Sequence, residues 1–519
     1  MNARNRREFL AEVGRGMLIA GVGVGVAEDL GLASARAADG PERLTFGPLE
    51  SLVGLMQDTP AGKLQPLLVE KLHSGTDLSQ LVAAAALANA RTFGGEDYTG
   101  YHTLMALAPA LHMANELPSE RQPLPVLKVL YRNSTRLQEK GGSKNEVLHP
   151  VKPGTVPAGQ PGGEALREAA RRKDMAAAEG LFAALARGSA ADAFDQLLVE
   201  VQDGIDVHRV VLPWRAWMLL DVVGPEHAHT LLRQSVRYCV NTETPNYASR
   251  YASLRSILPK VFDQHRLAGR PVGKRTAEDS WVDQLCQTIF QATPEQAAGA
   301  AAAALAEGFS PDAVAEAVSL ATNQLVLRDS GRPAGQTAPN KPVGSVHGDS
   351  IGVHACDSAN AWRGMARVSG PRNTYACLIL AAYQAAVDRT ERGGDFLHWQ
   401  PRPWAEHRSA IKATDPAGLL AEAEDAIRHN DQARACAAVA RAAEQGHPAR
   451  PVFDLLLKYA CSEDGALHAE KYYRTVSEEF AATRPAFRWR QVVALARVTA
   501  SEYGQPAPGY ADACRLLKV

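Results

Sequence analysis

Four histidines, His102, His208, His354 and His468, each stand near the start of a stretch with helical spacing, and a fifth, His347, precedes His354 in the run VHGDSIGVHACDSANAW over residues 346–362. Neutral imidazole is a good ligand for iron, copper, zinc or nickel. Helices of similar units packed about one centre would present equivalent positions to it, so a histidine at each helix start could line a common pocket. His347 and His354 are seven residues apart, close to two helical turns, and share a face if the helix already begins at His347. Asp357 and Cys356 are the nearest other donors, and Asp357 could ligate or orient a histidine from behind. A plainer role stands beside this one: a histidine at a helix start can hydrogen-bond free backbone groups, and repeated units can preserve it for packing. Acid–base catalysis without metal is a third reading.

The elements that would position these residues recur. Four copies of one weak pattern run along the chain: a helix, a glycine turn, a helix, a loop, a histidine opening a third helix, and a fourth helix. The glycines are Gly75, Gly188, Gly308 and Gly446, each after an Ala/Leu-rich stretch, where glycine suits a left-handed cap. With the four histidines in register and no gaps, apolar stretches beginning at Val126, Leu232, Leu378 and Val492 each fall 24 residues downstream. A rival register pairs His102 with His347, and MAN at 113–115 with SAN at 358–360.

Apolar residues recur at three- and four-residue spacing in almost every window, and no run alternates. The expected fold is therefore all-α: four weak repeats of helical hairpins, as an α-α repeat or a compact multi-helix bundle. The units are expected over 50–140, 164–240, 280–388 and 415–506. Residues 141–165 read as an exposed linker, residues 241–279 as a connector, and residues 329–345 as an extra loop delivering His347 and His354. In EHAH the two histidines, His227 and His229, point about 200° apart on a helix, which suits a solvated face.

The amino terminus carries Arg6-Arg7 with Phe9-Leu10, a mildly apolar run from Met17 to Ala27, and small residues up to Ala37. This resembles a twin-arginine export signal over residues 1–37 and implies a periplasmic or otherwise exported protein. No other segment reaches the length of a membrane span. With 56 basic and 57 acidic residues, the chain has no electrostatic footprint for nucleic acid. Seven scattered cysteines without C-x-x-C argue against a disulfide framework or zinc module, leaving buried inert thiols as the default and one or two disulfides open. Motifs of zincins, ferritin-like sites, α/β-hydrolases and nucleotide loops are lacking.

The combination HACDSANAW from His354, with HAEK at His468 and LAEGFSPDAVAEAVSLA, resembles the helical region of a poorly characterised bacterial family sometimes joined to a Rieske domain. In that family four residues separate a histidine from A-N-A, as His354 from Ala359-Asn360-Ala361. This resemblance covers most of the mature chain loosely. HGDSIGVHA from His347 is similar to one H-G-x5-H-A segment of questin-oxidase-like proteins, helical enzymes associated with oxygen insertion into aromatic ketones. The chain lacks Rieske cysteine-histidine boxes, so no iron-sulfur cluster is carried over. The resemblances imply a redox setting, with His347, His354 and Asn360 as the matched positions.

Together these readings predict an exported protein whose His102, His208, His347, His354 and His468 hold a transition metal ion such as iron. Asp357 and Asn360 stand near the cofactor, and the reaction is an oxidoreductase reaction on a small molecule. The alternative is a noncatalytic helical scaffold for a periplasmic protein partner. Convergence of the histidines on one point would favour the first, and dispersal along separate ridges the second.

Overall fold

The computed structural model describes residues 42–391 and 394–519. The expected export signal lies outside them. Among the described residues there are 24 α-helices and no strand, about 70% of the chain being helical, and Thr45–Val519 forms one compact unit.

The first run of helices comprises α1 (Glu50–Asp58), α2 (Ala61–His73), α3 (Leu78–Phe93), α4 (Tyr98–Asn115) and α5 (Pro123–Glu139). The second comprises α6 (Gly162–Arg171), α7 (Met175–Leu185), α8 (Ala190–Val201), α9 (Val207–Val223) and α10 (Ala228–Thr242). Two connecting helices follow, α11 (Pro245–Arg250) and α12 (Ala252–His265), so the 241–279 connector is itself largely helical. The third run is α13 (Asp279–Gln291), α14 (Pro294–Ala306), α15 (Pro311–Arg328), α16 (Ile351–Val368) and α17 (Pro371–Glu391). After short α18 (Ala405–Ala410) come α19 (Pro416–Arg428), α20 (Gln432–Glu444), α21 (Arg450–Ser462), α22 (His468–Ala482), α23 (Trp489–Glu502) and α24 (Tyr510–Leu517).

Local signals account for many of the boundaries. Asp97, Asp206, Ser189, Ser310 and Asp415 cap the next helix by accepting a backbone N–H, which satisfies donors the first turn leaves open. Three of the four turn glycines are left-handed, with φ of +96° at Gly75, +84° at Gly308 and +72° at Gly446. Gly188 is not, because Ser189 directly after it caps α8 and closes the turn.

His102, His208, His354 and His468 lie on α4, α9, α16 and α22, and α5, α10, α17 and α23 each pack against the histidine helix of their own run. The four histidine helices pack on one another in a circuit: α4 on α9, α9 on α16, α16 on α22, and α22 on α4. His347 departs from expectation. Ser350 is the N-cap of α16, so His347 precedes the helix and shares no helical face with His354.

The 141–165 segment is largely exposed or half-exposed, as expected of a linker, and is pinned to the helices at two points. Leu148 is fully buried, Val147 and Leu148 donate backbone N–H groups to Arg91 O, and Gly154 N–H is bound to Gly180 O at 2.7 Å. These bonds pair the backbone groups where the segment meets the helices. His229 is not solvated either: its ring stacks on Phe182 at 5.9 Å, and burial pushes its pKa down to about 4.

Candidate functional site

At the inner face of the helix circuit the four histidine rings meet. His102 Nε2 lies 3.3 Å from His208 Nε2, and His354 Nε2 lies 3.1 Å from His468 Nε2. Ring centroids close the circuit at 4.8 Å (His102–His208), 6.3 Å (His208–His354), 5.2 Å (His354–His468) and 5.4 Å (His468–His102). Four histidines 106 and 114 residues apart within each pair thus converge on one place.

Three of them are held from behind by their other ring nitrogen. His102 Nδ1 contacts Tyr98 O at 2.7 Å, and His208 Nδ1 contacts Asp206 Oδ1 at 3.2 Å. His468 Nδ1 contacts Ala466 O at 3.1 Å and Gly465 O at 3.3 Å. Carbonyl and carboxylate oxygens only accept, so Nδ1 carries the proton in each neutral ring and Nε2 presents a lone pair. His354 can donate to His468. Between His102 and His208 neither neutral ring can, and two lone pairs face each other.

On the His102 ring a proton is disfavoured. Burial, with Lys471 and His208 adding to it, pushes the His102 pKa down to about 2. Burial and Lys471 likewise hold His468 well below the usual histidine range. The charges lie one turn farther along: Asp357 is three residues beyond His354, and Lys471 three beyond His468. Asp357 accepts the Thr475 hydroxyl at 2.7 Å. Its carboxyl is raised by burial, against the pull of Lys471 and Arg215. Burial brings the Lys471 ammonium down to about 8, against the pull of Asp357.

The spacing suits metal ligation. With metal–nitrogen bonds of about 2.0–2.1 Å, ligand nitrogens stand roughly 2.9–3.3 Å apart and the ring centroids roughly 5 Å apart. Among the described residues no group of three or more His, Cys, Asp or Glu side chains is already gathered about a single cation position. The donors come as two facing pairs, and the His208–His354 edge is the widest.

A cavity of about 360 Å³ reaches His354 and Asp206, with Tyr251, Gln384 and Asp388 in its wall and the Arg250–Glu391 ion pair beside them. Of the four histidines it touches His354.

The other expected residues are placed differently. His347 is buried behind His468, 3.4 Å from Asp349 and 3.6 Å from Glu502, and its ring makes none of the histidine ring contacts. Asn360 donates to Glu479 at 3.0 Å, and Glu479 also pairs with Arg363 at 2.8 Å. That network is separate from the histidine rings.

Sequence reasoning missed the wall of tyrosines. Tyr98 lies 4.3 Å from His102, Tyr101 lies 5.2 and 5.1 Å from His102 and His208, and the Tyr238 hydroxyl donates to Asp206 at 2.7 Å. The runs DYTGYH and GIDVH held a usable signal, a capping aspartate just before each histidine. No protein-family model matches the chain, and neither a curated protein nor a solved structure does.

Proposed function

We propose that His102, His208, His354 and His468 hold one transition metal ion, iron or copper being the redox-active candidates, and that the protein is an exported metal-dependent oxidoreductase acting on a small molecule. The observation that carries this reading is the His102–His208 contact: two Nε2 atoms 3.3 Å apart, each ring fixed by its Nδ1 partner, with burial holding His102 neutral. A cation with two or more open positions resolves that contact. A noncatalytic scaffold has no need of four converging imidazoles.

When bound, such a metal would supply electron transfer to substrate or oxygen. The chain's own groups do the rest. Tyr98 O, Asp206 and the 465–466 carbonyls fix ring orientation. The cavity beside His354 admits substrate, and Tyr101 and Tyr238 pack against the His102 and His208 rings. The redox setting implied by the sequence resemblances agrees with this reading.

X-ray absorption on the exported protein, followed through reduction by dithionite and reoxidation in air, tests it. The expected result is a shell of nitrogen donors at about 2.0–2.1 Å around a metal that changes oxidation state reversibly. A metal that keeps one state throughout, or a shell without nitrogen, would contradict it.

A further inference from the structure

A second site lies away from the histidines. A cleft of about 850 Å³ is walled by α13 and α15, by the 400–408 segment and by Arg490 of α23. Its lining carries four arginines, Arg328, Arg402, Arg408 and Arg490, against a single carboxylate, Glu406. Two of the four are already neutralised: Arg408 pairs with Glu444 at 3.2 Å and Arg490 with Asp283 at 3.3 Å.

The other two have no carboxylate partner among the described residues. Arg328 spends its donors on neutral oxygens, Gln324 Oε1 at 3.0 Å and Trp399 O at 2.8 Å. Arg402 holds its guanidinium 4.8 Å from the Trp404 ring centroid. The Arg402 backbone N–H is bound to Leu327 O at 2.9 Å, which sets Arg402 beside Arg328. The Arg328 pKa is lowered by burial, as expected of a guanidinium half withdrawn from water with no counter-ion.

We propose that this cleft binds a small organic carboxylate, with Arg328 and Arg402 receiving the carboxylate group. A guanidinium matches a carboxylate in a planar, two-bond geometry. The volume falls in the range of small-molecule sites and far exceeds an inorganic ion, and Gln287 and Gln400 in the wall offer amide donors and acceptors to the rest of the ligand. The proposal is independent of the metal reading.

Calorimetric titration of the exported full-length protein with citrate, and separately with inorganic phosphate, tests it. Citrate is expected to bind saturably at one site per chain. Arg402→Gln should weaken it at least about tenfold, a lost charge-assisted pair, with helicity and melting midpoint unchanged. Arg328→Gln together with Arg402→Gln should abolish binding; because Arg328 also supports the Trp399 backbone, the single Arg402 variant is the decisive one. Absence of saturable citrate binding, equal affinity in Arg402→Gln, or phosphate binding as tight as citrate would overturn the assignment.

Discussion

Asp206 Oδ1 lies 3.2 Å from His208 Nδ1 and also accepts the His208 backbone N–H at 3.0 Å and the Tyr238 hydroxyl at 2.7 Å. One carboxylate oxygen thus caps α9 and fixes the ring that faces His102. Burial would raise this carboxyl, but His208, Tyr238 and the Arg209 N–H outweigh it and hold the pKa well below the usual range. Asp206→Ala should therefore cost about 1 kcal/mol of stability as a lost cap, read from the urea midpoint. It should also weaken metal binding roughly 10–100-fold as a lost orienting partner, read by chelator competition. Tyr238→Phe should show a smaller loss of both.

The glycines of HGDSIGVH answer to close packing. A Cβ on Gly348 would stand 2.3 Å from the His468 Cβ, and one on Gly352 would stand 2.6 Å from the Val326 backbone nitrogen. Gly348→Ala should displace His468. Its expected signature is a loss of about 1–3 kcal/mol from overpacking together with a drop in metal content, whereas Gly299→Ala, inside a helix and facing open space, should keep the metal and gain up to about 1 kcal/mol.

Glu116 at the end of α4 ties that helix to α21 and α22. His112 Nε2 is 3.1 Å from Oε1, and Arg450 Nη1 and the Tyr473 hydroxyl are 2.5 and 2.8 Å from Oε2. Burial raises this carboxyl, but those partners prevail and bring it down from 4.5 to about 2. A depressed carboxyl stabilises the fold above its unfolded value, and that contribution is lost as pH falls through the folded one. Between pH 4.5 and about 2, wild-type stability should fall more steeply than that of Glu116→Gln, by up to about 1.4 kcal/mol per pH unit. Equal slopes in acid denaturation would contradict this.

Helical content and the histidine positions were legible because both rest on short-range periodicity. The 24-residue spacing from each histidine to the next apolar stretch reflects α5, α10, α17 and α23 packing against their own histidine helices. The anchor of His468 was not legible. His468 Nδ1 is met by a carbonyl from a turn in which Ala466 and Leu467 take φ of +48° and +68°, a backbone conformation their residue types do not announce. The expected helical pairing of His347 with His354 failed because the backbone at Ser350 is extended, with φ of −67° and ψ of 155°, so the helix starts only after it. Tyr98 and His102 share a helix face at four-residue spacing, but the contacts of Tyr101 with His208 and Tyr238 join separate runs of helices, which no local pattern encodes.

All seven cysteines are free thiols, six of them buried and Cys514 partly exposed. Burial pushes Cys286, Cys436 and Cys461 up to about 12, which suppresses the reactive thiolate. Maleimide labelling of the native protein should add one mass increment, at Cys514, and labelling after denaturation without reductant should add seven. Fewer adducts in the denatured sample would reveal a disulfide.

The most direct measurement is elemental analysis of the native protein, purified without added metal or chelator, alongside His354→Ala and His468→Ala. One transition metal ion per chain in the wild type, absent from both variants while their helicity stays near native, is the predicted result. A metal-free, fully folded wild type, or stoichiometric metal retained in either variant, would contradict the four-histidine site.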